Sequence, residues 1–267
     1  MRLFDRAAGR IALTRQGSVL LGYANKIAAL VSEAERELVT DDCIVSGELS
    51  LGVSTTIAQY VLPRLLGAFL AEHPRVQLSL HSGNTEKIVE CLLDGRTSIG
   101  LFEGPARHRE VRTEPFMEDA MALIVPPDFE FDRLTHDQLL SATLLLREKG
   151  SGSRRVVESA LEKAGFKLKS FKSVMNLDST EAIKSAVEAG LGIGFVSRWA
   201  VSKELELHLL KVAEVKGLRV VRQFSLVSRT GPEPQGACGA FREFALARAK
   251  ILANTPKQPL RPRSSSR

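Results

Sequence analysis

The sequence predicts an α/β protein in which a long N-terminal helix precedes two lobes of similar build. Three observations support this fold class. From residue 46 onward, short apolar strands alternate with helices, which is typical of mostly parallel sheets covered by helices. A helix–glycine–strand segment occurs twice, once from Thr85 and again from Thr180. Residues 15–40 contain an apolar stripe with the spacing of a coiled coil.

Composition places the chain among ordinary soluble proteins. Its 267 residues are 44% hydrophobic and 25% charged, enough for one large or two modest domains whose core needs no disulfides. The cysteines, Cys43, Cys91 and Cys238, lie far apart and have neither metal-ligand spacing nor a disulfide pattern. With no long apolar run and no secretory signal in the sequence, we expect a cytoplasmic protein without a membrane, metal or cofactor partner.

The net charge of +6 is concentrated at the two ends of the chain. Residues 1–15 carry +3 and residues 248–267 carry +6, which leaves the body mildly acidic at −3. A globular nucleic-acid binder would have a basic body, so we expect any DNA contact to come from the ends. The tail, residues 253–267, is rich in Pro, Ser and Arg and is predicted to be disordered.

The N-terminal segment predicts a short hairpin and then a dimerising helix. Residues 1–13 have the pattern of two strands around a turn, and Thr14 is suited to cap a helix that runs to about Val39. Packing of this helix on its own domain is the alternative, but the neighbouring sequence offers no domain large enough to cover the stripe. We predict pairing with a partner chain through Leu20, Ala24, Ile27, Val31, Ala34 and Leu38.

The remaining elements follow in order along the chain. Predicted strands cover residues 49–53, 76–81, 99–102, 120–125, 143–146, 171–175, 193–196 and 218–228. A helical segment follows the first strand, with its core face at Leu65, Leu66, Phe69 and Leu70, and further helices cover residues 85–93, 153–164, 180–188 and 240–252.

The repeated segment suggests two similar lobes with a cleft between them. Each copy has a threonine that is suited to cap a helix, Thr85 or Thr180, then a glycine, then a strand that contains Ile-Gly. Coincidence is the alternative, because helix–glycine–strand is a common order of elements. If the repeat reflects two lobes, a ligand is expected at their interface, near the carboxyl ends of the parallel strands.

Two strand-to-helix turns are rich in hydroxyl groups. Ser54, Thr55 and Thr56 follow the first strand, and Gly150, Ser151, Gly152, Ser153 and Arg154 follow the strand that ends at Leu146. A helix N-terminus has unpaired N–H donors and a partial positive charge, so one such turn in each lobe would bind an anion from both sides. The alternative is that these residues only cap their helices.

Glu103, the glycine-rich segment near residue 192 and the histidines are further candidates for binding or catalysis. Glu103 directly follows a strand, where it would either repel an anion or accept a hydrogen bond from a zwitterion, unless it is a solvated loop residue. The glycines at 190, 192 and 194 follow a helix and precede a strand, whereas a dinucleotide-binding fingerprint lies between a strand and the helix that follows it. The sequence also has no Walker loop. The five histidines are scattered, and no G-x-S-x-G turn occurs, so we predict no enzyme.

Several motifs together resemble the LysR family of transcriptional regulators. The N-terminal motifs look like a wing and the turn that follows it, and the later ones are similar to parts of the family's effector domain. The motifs are Arg2-Leu3-Phe4-Asp5-Arg6, Leu13-Thr14-Arg15-Gln16-Gly17, Val61-Leu62-Pro63-Arg64-Leu65-Leu66 with Phe69 and His73-Pro74, Arg147 to Arg154, and Gly190 to Val196. The run from Arg147 to Arg154 is similar to members tied to carbon fixation and sulfur metabolism.

The resemblance implies a periplasmic-binding-protein-like effector domain behind a winged-helix remnant and a dimerisation helix. It implies that residues 1–14 are the remnant of the wing, residues 15–40 the dimerisation helix and residues 46–252 the effector domain. Lobe I would comprise about 46–118 and 222–252, and lobe II about 119–221. The effector site it implies, together with the turns above, comprises Ser54, Thr55, Thr56, Glu103, Gly150, Ser151, Gly152, Ser153, Arg154, Thr180 and Phe195.

The same resemblance implies the partners. We expect a small anionic metabolite, a homodimer or tetramer, and promoter DNA in a full-length form. Arg2, Arg6 and Arg10 would contact DNA phosphates, which position a protein without reading bases. The helix-turn-helix that the resemblance implies before Arg2 is missing from the sequence, which leaves three alternatives: a misassigned start codon, a truncated gene and a regulator that does not bind DNA. The rival functions are a solute-binding protein and a DNA-free small-molecule-binding dimer.

Overall fold

The computed structural model describes residues 2–7, 10–38, 45–104 and 108–254. At the N-terminus, strands β1 (Phe4–Ala7) and β2 (Arg10–Leu13) pair antiparallel, and helix α1 (Arg15–Leu38) follows. The Thr14 hydroxyl accepts a hydrogen bond from the backbone N–H of Gly17 at 2.9 Å, so the predicted hairpin and helix cap are confirmed.

A ten-stranded sheet and eight further helices form the rest of the described chain. Its strands are β3 (Ser46–Ser54), β4 (Arg75–Gly83), β5 (Ile99–Glu103), β6 (Val111–Val125), β7 (Arg133–Leu134), β8 (Thr143–Arg147), β9 (Ser173–Leu177), β10 (Ile193–Ser197), β11 (Lys211–Val215) and β12 (Val220–Arg229). The helices are α2 (Thr55–Tyr60), α3 (Leu62–Glu72), α4 (Thr85–Leu93), α5 (His136–Ser141), α6 (Gly152–Lys163), α7 (Thr180–Glu188), α8 (Arg198–Glu206) and α9 (Gly236–Asn254).

The order of the strands divides the sheet into two halves. The main path runs β4-β3-β5-β12-β6-β10-β8-β9. Strands β3, β4 and β5 are parallel in the first lobe, and β8, β9 and β10 are parallel in the second. The long strands β6 and β12 run antiparallel to their neighbours and pass from one lobe to the other. The prediction of mostly parallel sheets is therefore right for each lobe and wrong for these two strands.

Each lobe has a hydrophobic core of its own. In the first lobe, α3 and α9 pack against the sheet around Phe69 and Phe241, whose rings meet edge to face at 5.2 Å between centroids. The second core surrounds Leu144, Leu146 and Phe166. Trp199 on α8 of the second lobe packs against the first core, so apolar contact also joins the two lobes. In the described residues no helix combines the length and apolarity needed to cross a bilayer.

Several predicted boundaries differ from the structure for identifiable reasons. Strand β6 begins at Val111, nine residues before the predicted start. The prediction missed its first half because that half is only partly buried and contains Pro115, which cannot donate to the ladder. The helical segment after Ser54 is broken at Val61, just before Leu62-Pro63 begins α3. The short elements α5, α8 and β11 were not predicted.

The predicted caps at Thr85 and Thr180 are wrong by one residue. The capping side chains belong to Asn84, which accepts from the N–H of Lys87, and to Ser179, which accepts from the N–H of Ala182, both at 3.1 Å. Thr85 and Thr180 are the first helical residues, and both are buried. Since their hydroxyls are not needed to cap a helix, they can form contacts between the lobes.

Candidate functional site

The two hydroxyl-rich turns face each other where β3 and β8 end. Ser54 is the last residue of β3, while Ser151 caps α6 and Ser153 lies in its first turn. Ser54 and Ser153 both donate to the Glu103 carboxylate, the bond from Ser153 spanning 2.9 Å to Oε1. Groups from two lobes are thus joined through one carboxylate.

Glu103 lies at the centre of this cluster and is only 2% exposed. Besides the two serines, the Thr56 hydroxyl donates to Oε1 at 3.4 Å, and Nη1 of Arg222 lies 3.5 Å from the same oxygen. Four donor groups therefore surround one carboxylate, and the solvated-loop alternative for Glu103 is wrong. Such a set of donors compensates for the cost of burying an ionised group.

A buried ion pair holds the crossing strands together next to Glu103. Nε of Arg222 on β12 donates to Oδ2 of Asp119 on β6 at 2.7 Å, and its Nη1 donates to Ser153 at 2.6 Å. Asp119 also accepts a bond of 2.9 Å from Ser197. Arg222 and Asp119 were not among the predicted site residues.

The Asp119 carboxyl predicts a pH dependence of stability. Burial raises its pKa above the ordinary value of 3.8, and the Arg222 guanidinium opposes this shift only in part. The folded protein therefore keeps this proton over a pH range in which the unfolded chain has lost it. The resulting stability is fully present below pH 3.8 and is lost as the pH rises through the folded-state pKa.

Urea denaturation of the wild type and Asp119→Asn over a series of pH values measures this effect. We expect the free energy of unfolding of the wild type, relative to the variant, to fall as the pH rises above 3.8. A difference that grows with pH would mean that attraction to Arg222 outweighs burial.

A second group of donors meets across the cleft with longer contacts. The hydroxyls of Thr56 in the first lobe and Thr180 in the second are 3.5 Å apart, and Nη1 of Arg147 donates to Thr180 at 3.4 Å. Hydrogen bonds are usually about 2.5–3.0 Å long between two oxygens and about 2.7–3.2 Å long from N–H to oxygen, so both contacts are longer than usual. Arg147 is 4% exposed and pairs with Glu148 through Nε at 2.8 Å and through Nη2 at 3.2 Å. Arg147 was not among the predicted site residues.

Backbone contact between the lobes depends on Gly152. A Cβ at this position would lie 1.9 Å from the Glu103 carbonyl oxygen, so only glycine lets α6 approach β5. The hydroxyl of Thr85 accepts from the N–H of Gly152 at 3.1 Å and donates to the Glu103 carbonyl at 3.3 Å. Gly150, also predicted, has a φ of +89° in the turn before α6.

Other predicted effector residues lie at the margin or elsewhere. Arg154 supports the second lobe, since it donates to Asn176 at 2.7 Å and pairs with Glu158. Thr55 begins α2 and is partly exposed. Phe195 packs in the core of the second lobe and lines a separate cavity of about 460 Å³ beside Arg198. The structure does not bring Phe195 to the hydroxyl cluster.

The predicted dimer residues are described in part. Leu20 and Ile27 on α1 are 48% and 61% exposed, Ala24 is exposed, and so is Leu30 at 63%, which was not predicted. Arg2 is exposed. The other predicted side chains of the hairpin and of α1 lie outside the described residues: Arg6, Arg10, Val31, Ala34 and Leu38.

Comparisons with known sequences identify the family. A family model described as the LysR substrate binding domain matches residues 45–250. A RuBisCO operon transcriptional regulator from Allochromatium vinosum is 32% identical over 252 residues, 93% of this chain and 82% of that protein. A protein from Cyanidioschyzon merolae, named "Probable RuBisCO transcriptional regulator", is 34% identical over 245 residues, 90% of this chain and 80% of that protein.

Solved structures show the same two-lobed fold. The regulatory domain of CcmR from Synechocystis, in complex with 2-PG, matches with a TM-score of 0.69 and 24% identity over 79% of this chain and 100% of that one. The effector-binding domain of QuiR, in complex with shikimate, matches with a TM-score of 0.68 and 17% identity over 77% of this chain and 98% of that one. The sequence relatives are regulators and not enzymes. The chain belongs to the LysR family of transcriptional regulators.

Proposed function

We propose that this regulator senses a small anionic metabolite that binds between its lobes. The observation that carries the proposal is the meeting of Thr56, Thr180 and Arg147 across the cleft, with contacts of 3.4–3.5 Å between them. Nε and Nη2 of Arg147 pair with Glu148, which leaves its Nη1 for the cleft, where the contacts are longer than usual hydrogen bonds. The oxygens of a carboxylate or phosphate would shorten these contacts and add charge assistance from the guanidinium.

The helix beside the cleft supports the choice of an anion. The N-terminus of α6 faces the same site, with Ser151 as its cap and Ser153 in its first turn. The helix dipole places a partial positive charge at this end of α6, which favours negative charge there. The CcmR regulatory domain, which has the same fold, is in complex with 2-PG, so 2-PG is the first probe for this chain.

Effector binding would act by changing the populations of lobe arrangements. An anion that contacts Thr56 in one lobe and Thr180 in the other stabilises the arrangement in which both can reach it. We propose that α1 pairs with a second copy and transmits this change, and that the N-terminal hairpin contacts phosphates of promoter DNA in the cytoplasm. In this account residues 1–14, 15–40 and 46–252 act as wing, linker helix and effector domain.

Isothermal titration calorimetry with 2-PG tests the cleft site. Arg147→Gln and Thr180→Val each remove a donor, and we expect each to weaken 2-PG binding by about tenfold or more, since a hydrogen bond to a charged group contributes about 1.5–3 kcal/mol. Ser202→Ala is the matched control, because Ser202 is exposed on α8. Its affinity should equal that of the wild type.

Two results would contradict the proposal. One is unchanged 2-PG affinity in both Arg147→Gln and Thr180→Val, with the wild type binding well. The other is a lack of binding by the wild type of any anion in a panel of 2-PG, shikimate, small carboxylates and sugar phosphates.

A further inference from the structure

We propose that Glu103 is a built-in ligand of the cleft, whose carboxylate holds the lobes together and competes with the anionic effector. The inference rests on the proposed function, because it concerns the same cleft. Glu103 belongs to β5 of the first lobe, yet Ser153 of the second lobe donates to it at 2.9 Å. It therefore already forms the bridge between lobes that the effector is proposed to form.

The donors around Glu103 are suited to a carboxylate. Ser54 donates to Oε2, while Thr56 and Ser153 donate to Oε1, so each oxygen has a partner. Arg222 supplies the positive charge at 3.5 Å from Oε1. Its Nη2 is buried and has no hydrogen-bond partner among the described residues, so the cluster offers more donors than Glu103 uses.

The position of Thr56 explains the competition. Its hydroxyl lies 3.4 Å from Glu103 Oε1 and 3.5 Å from the Thr180 hydroxyl, so it belongs to both groups of donors. An anion that binds Thr56 and Thr180 must approach the Glu103 carboxylate closely. Two adjacent negative charges in a buried site repel, which weakens binding unless one of them moves or is neutralised. The effector must therefore displace Glu103 or meet it with a neutral or donor group.

Chemical rescue of Glu103→Ala tests the built-in ligand directly. Alanine removes a group of the size of acetate and leaves the four donors in place. We expect the variant to have a lower melting temperature than the wild type, and acetate to restore a few degrees of it. Acetamide, which is neutral, and sodium chloride at matched ionic strength are controls that should not restore it, and acetate should not change the wild type.

Binding of 2-PG by Glu103→Gln tests the competition. Glutamine keeps the shape of the side chain and removes its charge, so this variant stays informative even if Glu103→Ala does not fold. We expect Glu103→Gln to bind 2-PG about tenfold more tightly than the wild type. Equal or weaker binding would overturn the competition, and an equal effect of acetate on Glu103→Ala and wild type would overturn the built-in ligand.

The two experiments separate this inference from the proposed effector site. If 2-PG and the rest of the panel fail to bind any protein while acetate restores Glu103→Ala, the effector proposal fails and the built-in ligand stands. If Arg147→Gln loses 2-PG binding but neither Glu103 variant behaves as expected, the effector site stands and the role of Glu103 is refuted.

Discussion

Replacing Arg222 with glutamine is expected to lower the free energy of unfolding by about 3–5 kcal/mol, the usual cost of removing one partner from a buried ion pair. The side chain of Arg222 is fully buried, and it pairs with Asp119 at 2.7 Å and with Glu103 at 3.5 Å. Without it, two carboxylates remain in a water-excluded site with no cation beside them. Chemical denaturation at neutral pH measures the loss.

A matched control lies on the neighbouring strand. Arg112 on β6 pairs with Glu233 at 3.0 Å, but both side chains are partly exposed, so Arg112→Gln should change the stability by only about 0–1 kcal/mol. Adding Asp119→Asn to Arg222→Gln should recover part of the loss, because it removes one uncompensated carboxylate. A loss for Arg222→Gln no larger than that of Arg112→Gln would contradict the role given to the buried cluster.

We expect the wild type to form the proposed dimer through α1, and charge introduced on α1 to produce monomers. Leu20 and Ile27 are large apolar side chains that are 48% and 61% exposed in the single chain, and a coiled-coil partner would bury them. A glutamate at each position would face its counterpart in the partner, so the Leu20→Glu, Ile27→Glu double variant should weaken the dimer by more than about 100-fold. Val31, predicted from the same stripe, is the next position to replace.

Light scattering over a concentration series measures the mass of each protein. Ser18→Glu is the control, since Ser18 is exposed and lies on the opposite side of the helix from the stripe. It should keep the mass of the wild type. An unchanged mass for the double variant would show that the apolar stripe does not hold the dimer.

The local sequence was sufficient for most of the fold because its periodicity was strong. The strand from Thr143 to Arg147 and the helix from Gly152 were expected within one residue, since an apolar run is followed directly by a glycine- and serine-rich turn. The caps at Asn84 and Ser179 were missed because each precedes a threonine, and both residue types are good caps. Backbone conformation, which the sequence does not show, decides between such neighbours.

The site was predicted less completely because it is assembled from distant residues. Ser54, Ser153 and Glu103 were expected near the cleft, but the partners Arg147 and Arg222 were not. Arg222 did leave a signal, since it alternates with the buried Val220 and Phe224 and so falls on the inner face of its strand. A cation on an apolar face requires a buried anion, yet its partner Asp119 lies more than a hundred residues away along the chain.

A crystal structure of the protein grown with 2-PG is the most direct test of the proposed cleft site. We expect the anion between Thr56, Thr180 and Arg147, with donors from both lobes, and the Glu103 carboxylate displaced from Thr56. Density for 2-PG only in the basic cavity of about 460 Å³ beside Arg155, Lys163 and Arg219, with the Thr56–Thr180 contact unchanged, would contradict it.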